Sequence, residues 1–526
     1  MEPNRRALLA GSVALGVAGC ANGAVVGFDK SARSLDIANH GEPLTLDPHK
    51  VSSPAENNIV GNLFVGLTTE NARAEPIPGM AERWETSEDG LTWIFYLRPA
   101  IWSDGVRCDA HDFVFAFRRV LDPARRANHA AMLYPIKNAA RINTGHLPTS
   151  EAGVTALGDR VLEIQLEHPA PYLPHALKHP AAYPAPKHVL ERHGDAWIKP
   201  ENIAVNGPFA LLKWWSNTII HLRKNANFWD AEQVTLEDLY FYPVPDAGVG
   251  ARGVINGERG WATDFPGARA SEFRRRLPGY VHIAPSLSAR AIVFNCTRTP
   301  FNDPRVRRAL AMALDREAMA ANGESAAYAY VPAGVQQAPA SYAWSAMPAS
   351  ARRLEALQAL QDAGFGPNRP LNFTLSCAEG ADLAEAARGE WVALADWVGV
   401  EIAQDETAAH AARLRARSYD CALVEQAGAF SDPRPFLAPF ETSAAANISG
   451  YANPSFDALV ALSDAEPDPT KRAALLASAE QAALDDAPAA AVTFGASRNL
   501  VHPDLAGYAD NLENIHRARW FGARGG

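Results

Sequence analysis

Behind Pro54, apolar residues Ile59, Val60, Leu63, Phe64 and Leu67 recur at the spacing of one helical face, which predicts a helix opening at that proline. Thr92 to Arg98 (TWIFYLR) is aromatic and β-rich and predicts a strand buried on both faces. Asp109 is placed to cap a helix with Phe113, Phe117, Val120 and Leu121 on one side, stopped at Asp122-Pro123. FALLKWW and TIIHLR flank Ser216-Asn217 and predict a hairpin. Asp303-Pro304 supplies a cap and a first-turn proline for a helix that buries Val306, Leu310, Ala313 and Leu314, with Arg305, Arg307 and Arg308 mostly elsewhere. Asn453-Pro454 and Asp468-Pro469 open two more helices in the same way. Leu35 to Ala38 and Ala291 to Asn295 read as strands, and Pro169 to Pro200, dense in Pro and His, as loops and short helices. Glu390 to Trp397 reads as the end of a helix capped by Gly399, with a strand from Val400 to Ile402. Helices and strands mixed in this way, without an internal repeat, indicate an α/β or α+β architecture.

The N-terminus has a different pattern. Arg5 and Arg6 precede an uncharged run from Ala7 to Gly19, too short to span a bilayer comfortably and suited to the core of an export signal. It ends at Val17-Ala18-Gly19-Cys20, which resembles a bacterial lipobox and implies lipidation at Cys20. The arginine pair also resembles a twin-arginine signal. Residues 21–33 are small and polar and read as a tether. Beyond the first 25 positions no apolar run of about 18 residues occurs, so the mature chain is not expected to span a membrane.

Composition removes several classes. The chain has 526 residues, about three or four domains' worth. Its net charge of −10 argues against a nucleic-acid partner, and 48% hydrophobic with 21% charged residues argues against wholesale disorder. Five cysteines cannot build a disulfide scaffold; after Cys20, Cys108, Cys296, Cys377 and Cys421 allow two bridges at most, or stand as buried thiols. No phosphate-loop, HExxH, GxSxG or GxGxxG motif occurs, which weakens an enzymatic reading; no catalytic residue, cofactor or metal is expected. His175 and His179 have metal-pair spacing on a helix, but no carboxylate or cysteine completes a set. Asp485-Asp486 and Glu82, Glu85 and Glu88 read as surface charge on helices or turns, and Trp214-Trp215 as residues on opposite strand faces.

Four motif groups, in chain order, carry a resemblance. They are Leu46-Asp47-Pro48-His49 with Asn62 to Leu67; Ala81 to Gly105 (AERWETSEDGLTWIFYLRPAIWSDG); Asn206 to Phe209 with Lys224 to Asp230; and Phe294-Asn295 with Pro300 to Asp303 and Val306 to Arg316. A weaker echo follows at Tyr451 to Asp457. Together they resemble the dipeptide- and oligopeptide-binding lipoproteins of bacterial ABC importers, family 5 of the extracellular solute-binding proteins. The resemblance implies an α/β, two-lobed periplasmic-binding-protein-like fold with an extra inserted domain. Lobe I would take residues 34–69, 199–287 and 496–526, the inserted domain 70–198, and lobe II 288–495. It also implies a monomer in the periplasm or cell envelope, lipid-anchored to a membrane, that takes a peptide or peptide-like small solute between lobes and hands it to an importer permease.

Peptide-binding members place an aspartate against the peptide ammonium, in a motif like Trp-x-x-Asp-Tyr-x-x-Pro-x-x-Phe. The matching stretch is Gln426 to Phe436, with Pro433 and Phe436 in register; the tryptophan position is Gln426 and the aspartate position Ala429. An upstream Glu-Trp is Glu406-Thr407, and an arginine found in some members is Leu423. A buried ammonium without a counter-charge costs several kcal/mol, so the departure disfavours free-amine peptides and leaves blocked peptides, oligosaccharides, opine-like conjugates or metal chelates. If ordinary oligopeptides are the cargo, Asp432 or Glu406 must take the ammonium. A non-transport envelope-interaction protein is a third expectation. The positions expected to face the cleft are Pro54, Tyr134, Glu406, Thr407, Glu425, Ala427, Ala429, Phe430 and Asp432.

Overall fold

Two long antiparallel strands, Val281–Phe294 and Ala489–Val501, run through the centre of a twelve-stranded mixed sheet in the computed structural model, which describes residues 27–336 and 339–524. The export signal and Cys20 lie outside the described residues. On one side of this pair the sheet continues through Cys421–Ala427 and Leu371–Cys377 to Val398–Gln404. On the other it continues through Trp261–Ala262, Ser34–Asn39, Asp238–Pro243 and Ile219–Lys224 to Phe209–Trp215. The pair is not uniform. Val281 to Pro285 pair with Leu500 to Ala496, and Ala289 to Val293 pair with Phe494 to Ala489, with a break in register between Pro285 and Ala289. Gly495 sits at the break, where a Cβ would meet the Ser288 hydroxyl at 1.8 Å, so the close approach requires glycine. Unpaired backbone in an otherwise continuous ladder is where such a sheet bends most easily.

The break separates two principal cores. One gathers Leu35, Leu63, Phe64, Phe209 and Leu239 together with Phe95, Phe113, Phe117 and Trp197. The other gathers Ile292, Val306, Leu310, Phe373, Trp391, Phe456 and Leu476. A second sheet, with strands Ala81–Thr86, Thr92–Leu97, Val161–Gln165 and Val154–Gly158 in that order, packs on the first core, and helix Ala110–Leu121 contributes to the same cluster. The molecule is therefore a two-lobed α/β protein.

Local rules place most helix starts. Asp109, Asp303, Asn453 and Asp468 each accept a backbone N–H from the first turn of the helix that follows. Asn217 adopts φ +53° in the 209–224 hairpin. Three expectations change. Thr92–Leu97 buries Trp93, Phe95 and Leu97 but leaves Thr92, Ile94 and Tyr96 partly exposed, because its antiparallel sheet is covered on one face only. Gly399 is the second residue of strand Val398–Gln404 and not a cap; the preceding helix ends at Val392. Arg307 is buried and donates to the carbonyls of Asp486, Ala487 and Phe301, so it satisfies the orphan end of helix Pro469–Asp486 rather than facing solvent. Cys108, Cys296, Cys377 and Cys421 are free thiols, three of them buried.

Candidate functional site

The segment Glu425 to Asp432 leaves the sheet beside the register break. Ala427 is the last residue of its strand and pairs with Ser288; Gly428 N–H then donates to Leu287 O at 2.8 Å. From there the chain is held at three consecutive residues, Phe430, Ser431 and Asp432. Phe430 is buried and stacks on Tyr172 of the smaller-sheet region, ring centroids 5.6 Å apart at 14°. Ser431 N–H donates to Glu513 Oε1 at 2.9 Å, and the other oxygen of Glu513 accepts from Lys178 Nζ at 2.5 Å. One carboxylate of the C-terminal segment thus ties the loop to the region around Tyr172. Burial nevertheless pushes Glu513 above the usual carboxylate range.

Asp432 is 7% exposed, and both its oxygens receive the Arg472 guanidinium, at 2.7 and 2.9 Å. It also accepts Arg434 N–H at 2.9 Å, while Arg434 pairs with Asp464 and Glu441. The side chain is fully engaged in holding the loop. Glu425 is exposed and pairs with Arg290 at 3.2 Å, and Arg290 also reaches Glu324 at 2.7 Å. Ala427 and Ala429 are exposed and bring no charge. Gln426 donates its amide to Pro435 O at 2.6 Å.

The other sequence-derived positions have local roles. Pro54 is the exposed first residue of helix Pro54–Leu63, whose start is closed by a reciprocal Ser53 and Glu56 cap. Tyr134 is half-buried and donates to Asn143 Oδ1 at 2.9 Å. Glu406 and Thr407 are exposed at the start of helix Thr407–Arg415, where Glu406 makes no side-chain cap bond. Leu423 is 5% exposed and belongs to the second core. His179 accepts Ala181 N–H at its Nδ1 and caps a turn, and burial pushes it down to about 3. Tyr172, Arg290, Arg472 and Glu513 meet the segment from distant parts of the chain, and Lys178 reaches it through Glu513. None of the five stands in a local sequence pattern that marks it.

Beneath Gln426 the sheet face carries a cavity of about 260 Å³, floored by Ala291 and Ala491 and walled by Val424, Leu414, Phe440 and Ile448. Tyr330 also lines it. The segment bearing Tyr330 is held by Glu480, a fully buried carboxylate that accepts Tyr330 N–H, Val331 N–H and Gln336 Nε2 at 2.7–2.8 Å. Burial pushes Glu480 up to about 7 despite these bonds. Because the folded pKa is raised, the native state holds a proton that the unfolded chain has already released between its ordinary value and 7. Glu480 alone therefore contributes a loss of stability on the order of 2 kcal/mol as pH rises from 5 to 8. The buried His49, His175, His179 and His516, pushed down to about 3–4, act in the opposite sense, so the contribution is read as a difference. Wild-type stability minus that of Glu480→Gln, from urea unfolding, should fall by that amount across the range; a difference that does not change with pH would refute the assignment.

Residues 75–448 match the family model described as bacterial extracellular solute-binding proteins, family 5 Middle. The chain is 32% identical over 498 residues to the periplasmic oligopeptide-binding protein OppA of Salmonella typhimurium, covering 91% of each. It is 32% identical over 486 residues to the probable deoxycholate-binding periplasmic protein YgiS of Escherichia coli K12, covering 89% of each. Among solved structures, the unliganded open form of the periplasmic murein tripeptide binding protein MppA superposes with a TM-score of 0.83 at 28% identity, covering 95% of this chain and 98% of that one.

Proposed function

The chain belongs to family 5 of the bacterial extracellular solute-binding proteins, and on that footing we propose that it captures a peptide or peptide-like solute between its lobes and delivers it to an ABC importer. The observation that carries this reading is the placement of Glu425 to Asp432: a strand end that leaves the sheet at the register break, between the two cores, with its neighbours fixed. An extended ligand can bind such an end by main-chain hydrogen bonds, the logic of an added strand. Rotation about the break at 285–289 and 495 would then bury the ligand from both sides. The boundaries at 287/288 and 495/496 for lobes I and II, with residues 70–198 as the inserted domain, are part of the proposal, as are a monomeric state, attachment of lipid at Cys20 and the absence of turnover. Within the 425–432 segment the proposed ligand-facing residues are Glu425, Ala427 and Ala429, joined by Gln426, because Phe430 and Asp432 are committed to Tyr172 and Arg472; Pro54, Tyr134, Glu406 and Thr407 stay in the proposed set.

A second reading, a non-peptide amphipathic solute, is favoured by Ala429. With Asp432 paired to Arg472 and Glu425 to Arg290, no unpaired carboxylate in the segment meets an ammonium. The similarity to a probable deoxycholate-binding protein fits that reading.

Small-angle scattering tests capture by closure. Protein purified from the periplasm with its natural ligand should have a smaller radius of gyration than the same protein stripped by unfolding and refolding. Equal radii, with a ligand demonstrably bound in the first sample, would contradict the proposal.

A further inference from the structure

The cavity beneath Gln426 bears on what the cargo is. Four polar residues line it, and their hydrogen-bonding groups are largely spent elsewhere. The Tyr330 hydroxyl donates to Ala489 O at 2.8 Å. The Ser449 hydroxyl donates to Asn447 Oδ1 at 2.9 Å and accepts Tyr451 N–H. The Gln426 amide nitrogen donates to Pro435 O, and Glu425 pairs with Arg290. What remains is an alkyl and aromatic surface of Ala291, Ala491, Val424, Leu414, Phe440 and Ile448. An occupant would find little to hydrogen-bond and much to pack against. Its volume of about 260 Å³ exceeds the roughly 150 Å³ of an apolar cavity that takes benzene, so a fused two-ring group or a branched alkyl chain fits.

Its location makes it part of the capture site. Val424, Glu425 and Gln426 belong to strand Cys421–Ala427, which ends two residues before Ala429. A ligand lying along that strand end has the cavity beside it, and both carboxylates of the segment, Glu425 and Asp432, are already paired with arginines. We infer that the cargo is an amine-free solute, such as an acyl-capped peptide or other blocked conjugate, whose bulky apolar group enters the cavity between strand Cys421–Ala427 and Phe440. The inference rests on the reading of the chain as a solute-binding protein and adds the class of solute.

Calorimetry with four defined probes tests it: N-acetyl-trialanine, and the three N-acetyl tripeptides in which one alanine is replaced by 2-naphthylalanine. At least one naphthyl peptide should bind ten-fold or more tighter than the trialanine peptide. In two variants that fill the cavity, Ala291→Leu from the floor and Ala446→Trp from the exposed rim, that advantage should shrink to within two-fold. The rim position is solvent-exposed, so the second variant keeps the test open if the first fails to fold. Trialanine binding without any naphthyl advantage would overturn the inference and leave the solute-binding reading intact, as would an advantage that persists in the filled variants. Binding of none of the four would count against both.

Discussion

Placing an aspartate at position 429 is expected to make the protein prefer free-amine peptides. Ala429→Asp should strengthen binding of a tripeptide with a free N-terminus by about 10- to 100-fold relative to its N-acetylated twin, the scale of one charge-assisted contact in a desolvated site. The expectation is firm because the neighbours of Ala429 are fixed. Gly428 is tied through its N–H to Leu287, and Phe430 is pinned on Tyr172, so a carboxylate introduced between them starts from a determined backbone. The exposed side chain needs no core rearrangement. Matched calorimetric titrations of wild type and variant give the ratio. If the ratio stays unchanged, residue 429 does not face the ligand, and the absence of its charge explains nothing about cargo.

The largest stability effect is expected far from that loop. Arg517 lies in the C-terminal segment with its side chain 3% exposed, and its guanidinium pairs with Glu70, 1% exposed, and reaches Asn57 O at 2.8 Å. Glu70 ends strand Thr68–Glu70, and Asn57 lies on helix Pro54–Leu63, so one cation joins three segments of the first core's surroundings. Arg517→Leu leaves a carboxylate buried without a partner and should cost about 3–5 kcal/mol, read as a lowered urea midpoint. Replacing both partners by apolar residues should recover part of the loss, because a buried pair owes much of its apparent strength to the penalty of breaking it. A single variant with an unshifted midpoint would show that the pair holds nothing together.

What could be read in the sequence follows the range of the forces involved. The helix starts at Asp109, Asp303, Asn453 and Asp468 were legible because a cap and its amides lie within four residues of each other. The turn at Asn217 was legible for the same reason. The family was legible because its motifs recur in order along nearly the whole chain, and the loss of the aspartate at 429 could be seen because Pro433 and Phe436 fix the register. Where the sheet decides, the local pattern misled. The exposed side of Thr92–Leu97, the strand position of Gly399 and the burial of Arg307 depend on segments that pack against them from elsewhere. The candidate site shows the limit most clearly. Asp432 looks like a free acid in the sequence, but its partner Arg472 is 40 residues away, and Phe430 stacks on a tyrosine 258 residues upstream. The cavity beneath Gln426 is assembled from several separate segments, and alanines in strands give no sign of the space they leave.

If the lobes capture one amine-free solute, that solute should leave the periplasm with the protein. The most direct test is mass spectrometry of the protein expressed with its export signal, first in the native state and then denatured, to identify what is bound. The expected result is a single stoichiometric mass per chain, without a primary α-amine and carrying a bulky apolar group. A ladder of ordinary free-amine peptides would contradict it, since some other group would then be neutralising the ammonium that Ala429 cannot meet.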